Sequence, residues 1–232
     1  MTPLRSVRTI VAIFAVSVAA TACGDGSGGL PEPDFLLRGA TAASGDVTSA
    51  HVEMTTSGQV PGLPARTLSA DVLARKGSQP GSSVGTADVS GIHVQFVEQD
   101  GELYSKSADG KYVPAQQLSA VAAGLPKPSA MLDPERGLAR MLAHLSNPRT
   151  EVREHFDGVQ AFRVTGAVPG EYARVWLPSI NEDARLTVWF ATAGRHLPVG
   201  TRLTVTDSSG KPVTIDFALS DLNKKVQVPT IA

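Results

Sequence analysis

"HVEMTTSGQV", His51–Val60, decides the fold. Val52, Met54, Thr56 and Val60 fall on one face of an extended chain, and His51, Glu53, Ser57 and Gln59 on the other. Successive side chains of a strand point to opposite faces, so period two with one apolar face predicts a half-buried strand. The same rhythm recurs outward from this stretch. Leu68, Ala70, Val72 and Ala74 alternate with mostly polar neighbours. Ile92, Val94 and Phe96 alternate with His93 and Gln95. Later come Phe162, Val164 and Val168; Leu186, Val188 and Phe190; Leu203 and Val205; and Val213, Ile215, Phe217 and Leu219. One dry face and one wet face is the pattern of an antiparallel sheet.

The connections agree. "QDGE" (Gln99–Glu102), "ADGK" (Ala108–Lys111) and "FDGV" (Phe156–Val159) carry Asp-Gly, and "TAGR" and "SSGK" supply later turns. Asp-Gly suits the two-residue hairpin because both positions tolerate positive φ. Strands joined this tightly are antiparallel, which predicts one long, twisted sheet with a single apolar face.

That face needs a cover. A first helix is expected over Pro33–Ser44, with Asp34 as a candidate cap, and another over Val113–Leu125. The clearest is Leu132–Leu145, "LDPERGLARMLAHL": Asp133 suits the N-cap, Pro134 the first helical position and Glu135 the positive end of the dipole. Leu138, Met141, Leu142 and Leu145 form its apolar stripe. "EYARVWLP" adds a short fourth helix. So few helices cover so large a sheet only if the sheet curls around them. The expected class is α+β, a strongly curled antiparallel sheet.

Composition narrows the function. Lys and Arg number 21 against 22 Asp and Glu, a balance that does not suggest nucleic acid. A single cysteine excludes a disulfide framework and a cysteine zinc site. G-x-S-x-G, H-E-x-x-H and a phosphate loop are absent, and the five histidines at 51, 93, 144, 155 and 196 are scattered. His51 and Glu53 share a wet strand face that could orient a base; a solvated face explains them equally simply. No catalytic, metal-ligating or cofactor-binding residue is nominated.

The one cysteine, Cys23, ends the apolar run "TIVAIFAVSVAATA" (Thr9–Ala22), which follows Arg5 and Arg8. The run falls short of the ~20 residues that span a bilayer and reads as a signal peptide. Ala20, Thr21 and Ala22 before Cys23 resemble a bacterial lipobox, although Ala20 stands where an aliphatic residue is usual. The expectation is a signal peptide over 1–22, and then Cys23 carrying a diacylglyceryl group, with N-acylation by palmitate or a similar chain open. A flexible linker to residue 33 and a single domain over 34–232 follow. A plain signal peptide and an uncleaved anchor are the alternatives.

"SAHVEMTTSGQVPGL" (Ser49–Leu63), "LDPERGLARMLAHL", "LTVWF" (Leu186–Phe190) and "LSDLNKKVQV" (Leu219–Val228), in this order, resemble the LppX/LprA/LprF/LprG lipoproteins of mycobacteria and other actinobacteria. The resemblance implies a half-barrel with an apolar cavity between sheet and helices, similar to the LolA/LolB-like lipoprotein carriers. It implies binding of multi-acyl lipids or glycolipids and help in moving them to the outer cell envelope. The site would be the extracytoplasmic face of the cell membrane. It makes Val52, Met54, Leu68, Ala70, Val72, Ile92, Val94, Phe96, Leu138, Met141, Leu142, Leu145, Phe162, Val164, Leu186, Val188 and Phe190 lining residues of the cavity. The expected partners are a lipid, the membrane through Cys23 and a membrane transporter, for a monomer without cofactor. The rival roles are presentation of lipid to an envelope enzyme or transporter, and an esterase. Ser83, Gly85 and Ala87 stand where the resemblance implies larger apolar residues, and Leu222 and Asn223 where it implies an aromatic-glycine pair.

Overall fold

A computed structural model describes residues 29–231, apart from 61, 119–123, 178–179 and 181. Cys23, the signal segment 1–22 and the first residues of the linker lie outside the described residues. Eleven strands form one antiparallel sheet in the order β6-β5-β4-β3-β2-β1-β11-β10-β9-β8-β7. The first meander comprises β1 (Ser49–Ser57), β2 (Ala65–Leu73), β3 (Ser82–Val89), β4 (Ile92–Gln99), β5 (Glu102–Lys106) and β6 (Tyr112–Pro114). The second comprises β7 (Ser146–Phe156), β8 (Val159–Val168), β9 (Ala184–Ala191), β10 (Pro198–Thr206) and β11 (Pro212–Ser220). The two meet where β1 pairs with β11.

Register follows the alternation of the sequence. Met54 lies opposite both Leu68 and Phe217, Phe217 opposite Thr201, Thr201 opposite Val188, and Val188 opposite Val164. All six are buried, so one continuous row crosses the concave face. The convex face is wet: Arg202 pairs with Asp216 at 2.5 Å, and Arg163 with Glu151 and Glu154 at 3.0 Å. Asp100 (φ 53°) with Gly101 (φ 78°), and Asp157 (φ 47°) with Gly158 (φ 77°), take positive φ at both positions, as the Asp-Gly hairpins require.

β6 and β7 are the free edges, so the chain between them must travel from one edge of the sheet to the other. It does so as α2 (Ala115–Leu118), a 3₁₀ turn (Pro128–Leu132) and α3 (Leu138–Ala143). The 3₁₀ turn packs on β2 and β3, and α3 packs on α1 (Pro33–Gly45), which buries Leu36, Leu37, Ala40 and Ala43. α4 (Gly170–Ala173) leads into Trp176, whose ring meets Phe217 edge-on with centroids 4.9 Å apart.

Three helix expectations change. Glu32, not Asp34, holds the N-cap of α1; Asp34 sits in the first turn, where a carboxylate still complements the dipole. Of the expected helix over Val113–Leu125, Val113 pairs instead with Ser105 as part of β6, Ala115–Leu118 is helical, and 119–123 lie outside the described residues. Leu132–Leu145 is not one helix. Asp133 does cap, with Oδ1 accepting from the N–H groups of Glu135 (2.9 Å) and Arg136 (3.1 Å), but it caps a turn, and the helix restarts at Leu138. Gly137 sits between the two pieces, where a Cβ would collide with the carbonyls of Ala130, Met131 and Asp133. That close approach lets the turn fold back on the 3₁₀ segment.

Candidate functional site

A hollow of about 830 Å³ opens between the first meander and the segment 124–136. Gly62 and Leu63 line it beyond one end of β2, and Arg75, Pro80 and Gly81 beyond the other. Leu125, Pro126, Lys127, Ser129, Val175, Trp176 and Leu177 roof it. The charged groups around it are Arg75, Glu98, Lys127, Asp133 and Arg136. Next to it lies a narrow apolar hollow of about 20 Å³ between Val52, Met54, Leu63, Leu68, Pro128, Met131, Trp176, Leu177 and Phe217. A single water needs ~10–15 Å³ measured this way, so the side chains nearly close this end. Leu63, Pro126, Lys127, Trp176 and Leu177 line both spaces, and the partition separates a charged mouth from an apolar depth.

The residues expected from the sequence divide accordingly. Val52, Met54 and Leu68 face the apolar hollow. Leu138 lines a separate small hollow with Val47, Met131 and Leu132. Ala70, Val72, Phe96, Met141, Leu142, Leu145, Val164, Leu186, Val188 and Phe190 are buried in the hydrophobic cluster on the concave side and line none of these three hollows. Val94 and Phe162 are partly buried against that cluster. Ile92 is a correction. It is 65% exposed, because β5 pairs with β4 only from Phe96 to Gln99 and leaves the start of β4 a free edge.

Glu98 is an unexpected member of the site. The parity of Val94 and Phe96 continues to it, so the carboxyl points inward and is 2% exposed. Oε2 accepts from Ser83 Oγ (3.0 Å) and from the Ser129 N–H (3.1 Å), and Oε1 accepts from Ser129 Oγ (2.6 Å). This explains the small residues of β3. Ser83 serves the carboxyl, and Gly85 gives room where a Cβ would strike the Ser69 carbonyl and Ala70. The hydrogen bonds tie the 3₁₀ turn that roofs the hollow to the sheet.

Burial pushes the Glu98 carboxyl above the usual glutamate pKa; the Ser129 and Ser83 hydrogen bonds and the Lys127 charge only partly offset it. A carboxyl whose folded pKa is raised binds its proton more tightly in the folded chain than in the unfolded one. Its contribution to stability is therefore present below the ordinary value of 4.5 and is lost as pH rises through the folded value. We expect the urea midpoint of the wild type to fall as pH rises above 4.5 more steeply than that of Glu98→Gln. Parallel midpoints for the two proteins would show that burial does not raise the titration of Glu98.

A second cluster lies on the convex face. His51 Nδ1 stands 2.7 Å from Asp71 Oδ1, and His51 Nε2 3.2 Å from Ser69 Oγ. The order is that of a nucleophile triad. However, it lies on central strands whose register engages the backbone in the ladder, and none of the three residues lines a described hollow. Among the described residues no group of three or more His, Cys, Asp or Glu could hold a metal ion.

A family model described as LppX_LprAFG lipoprotein matches residues 32–228. The lipoarabinomannan carrier protein LprG of Mycobacterium tuberculosis (strain ATCC 25618 / H37Rv) is 31% identical over 236 residues, covering 98% of this chain and 97% of the relative. The protein of the same name from Mycobacterium leprae (strain TN) is 29% identical over 232 residues, covering 95% and 94%. Two solved structures share the fold. LprF from Mycobacterium bovis superposes with a TM-score of 0.71 at 23% identity, covering 88% of this chain and all of that one (100%). LppX from Mycobacterium tuberculosis superposes with a TM-score of 0.63 at 22% identity, covering 86% and 100%.

Proposed function

Because this chain belongs to the LppX_LprAFG lipoprotein family, we propose that it is a membrane-tethered carrier of multi-acyl lipids or glycolipids that moves them toward the outer cell envelope. The relatives named as carriers of lipoarabinomannan support the lipid class. The observation that carries the reading is the pair of adjoining hollows, a charged mouth of about 830 Å³ leading to an apolar depth. An amphiphile has the same two parts.

The energetics suit a carrier. Moving a methylene from water to an apolar site gains ~0.8 kcal/mol, so a multi-acyl lipid is effectively absent from water. Moving it from bilayer to protein exchanges one dry environment for another, and the net change stays near zero. Loading and unloading then need no chemical step. The apolar depth is nearly closed, so the tails enter as the roof segment around 126–131 moves off β2. Met54 and Met131 are adaptable side chains for such a wall.

In this reading residues 1–22 are removed as a signal peptide, Cys23 bears the lipid anchor on the extracytoplasmic face, and residues 34–232 act as one monomeric lipid-binding domain. The Pro31 carbonyl accepts from Thr150 Oγ1 at 2.8 Å, so in this reading the tether between anchor and domain runs over residues 23–30. At ~3.5 Å per residue it reaches at most about 28 Å. The protein therefore works close to its own membrane and needs a membrane transporter or a second acceptor to pass lipid further. We assign no turnover to it; the placement of Ser69, His51 and Asp71 away from the hollows supports that.

The test is mass spectrometry of organic extracts from non-lipidated protein made in an actinobacterial host, followed by transfer of the recovered lipid between vesicles by the emptied protein. Multi-acyl lipid in the extract and transfer in the assay are expected. Extracts without lipid would remove the carrier reading. Lipid without transfer would favour presentation to an envelope enzyme or transporter, and hydrolysis of test esters would favour an enzyme.

A further inference from the structure

Trp176 sits on the partition between the two hollows. Its side chain is fixed: it is 4% exposed, and its ring packs edge-on against Phe217. Its indole nitrogen can only donate, and it has no acceptor among the described residues. The chain's other tryptophan, Trp189, shows the ordinary arrangement, with Nε1 donating to Glu154 Oε1 at 2.8 Å. Buried tryptophan N–H groups usually find partners, so an orphan at the wall of a hollow points to an acceptor supplied by whatever fills the hollow.

The position of the Trp176 side chain identifies that acceptor. On the mouth side stand Arg75, Glu98, Asp133 and Arg136; on the deep side stand Val52, Met54, Leu68 and Phe217. An acyl lipid laid with its headgroup at the mouth and its hydrocarbon in the depth brings its ester carbonyls to the partition. Lys127, the charged residue common to both spaces, is occupied, its ammonium donating to the Gly101 carbonyl. We propose that Trp176 is a specificity-determining residue, its indole N–H donating to the ester carbonyl of an acyl chain whose hydrocarbon lies against Val52, Met54 and Leu68. The assignment rests on the carrier reading above. It makes the protein selective for acyl esters over alkyl ethers of the same length and headgroup, because an ether oxygen is a poorer acceptor and leaves the donor underused.

The test compares dipalmitoyl phosphatidylglycerol with its dihexadecyl-ether analogue on wild type and Trp176→Phe by displacement of a fluorescent fatty-acid probe. Wild type is expected to bind the ester about tenfold more tightly, the ratio that one hydrogen bond supplies. In Trp176→Phe that ratio should fall to about one, and because it is taken within one protein, the smaller ring cancels from it. A second measurement needs no variant. The indole N–H resonance of Trp176 in ¹⁵N-labelled wild type should move downfield with the ester and not with the ether, while that of Trp189 stays in place. Equal binding of both lipids by wild type would overturn the assignment. So would a parallel loss of both in Trp176→Phe, which would place the donor on the headgroup. Binding of neither lipid by wild type would remove the carrier reading, and the assignment with it.

Discussion

Val188→Asp unfolds the protein or leaves it on the edge of unfolding. Val188 is fully buried in the middle of the row that crosses the concave face, opposite Val164 and Thr201. No cation reaches that row, and a carboxylate without a partner costs several kcal/mol in such a place. A loss of ~4–5 kcal/mol is expected, a large share of the ~5–15 kcal/mol that holds a domain folded. Val188→Ala should cost less, ~2 kcal/mol, since it leaves a void without a charge. The control lies on the wet face of β1. Thr55 is exposed, so Thr55→Asp should cost about 1 kcal/mol at most, even with Asp216 across from it. Urea unfolding of the three variants reads the difference. Equal losses at 55 and 188 would mean that the sheet does not present one dry and one wet face.

Cys23→Ala should move the protein almost entirely from the membrane to the soluble fraction while leaving its fold and lipid binding intact. Each buried methylene of an anchor contributes ~0.8 kcal/mol, so two or more acyl chains hold where one does not. The described residues offer no substitute: no helix among them is long and apolar enough to cross a membrane. Fractionation of cells producing the two proteins, with urea midpoints measured on both, checks it. Retention of the variant at the membrane would replace the lipid anchor by an uncleaved signal segment or by a surface contact.

The legible part of this molecule is its alternation. Strand period two places a residue on its face whatever its neighbours do, and so the pattern alone assigns Val52, Met54, Leu68, Val164, Val188 and Phe217 to the apolar faces of their strands. The Asp-Gly turns announce the antiparallel connections for the same reason, being local. What stays hidden in the sequence depends on contacts between distant segments. The break at Gly137 comes from carbonyls of the preceding 3₁₀ turn, which no helical pattern records. The exposure of Ile92 comes from how far a neighbouring strand extends. Glu98 does have a signal, since it continues the parity of Val94 and Phe96, but an acidic residue at that point reads as the wet end of a strand until Ser83 and Ser129 are seen around it. Trp176 lies in the stretch read as a short helix, and nothing in that pattern marks its indole nitrogen as lacking a partner. A lining residue and a core residue also look alike in sequence: Met54 and Val188 occupy the same row, yet of the two only Met54 borders the apolar hollow.

The join between the two meanders governs how the molecule comes into being. Every other pairing in the sheet links neighbours in the chain, and hairpins of that kind close quickly. The β1–β11 pair alone brings together Met54 and Phe217, and closing so long a loop is the slow, entropically costly step. Since β11, the last of the described strands, lies near the middle of the sheet, a chain still emerging can form hairpins but cannot assemble the finished core. In the proposed function the chain crosses a membrane before it folds, and the order of its strands would keep it open until β11 has arrived.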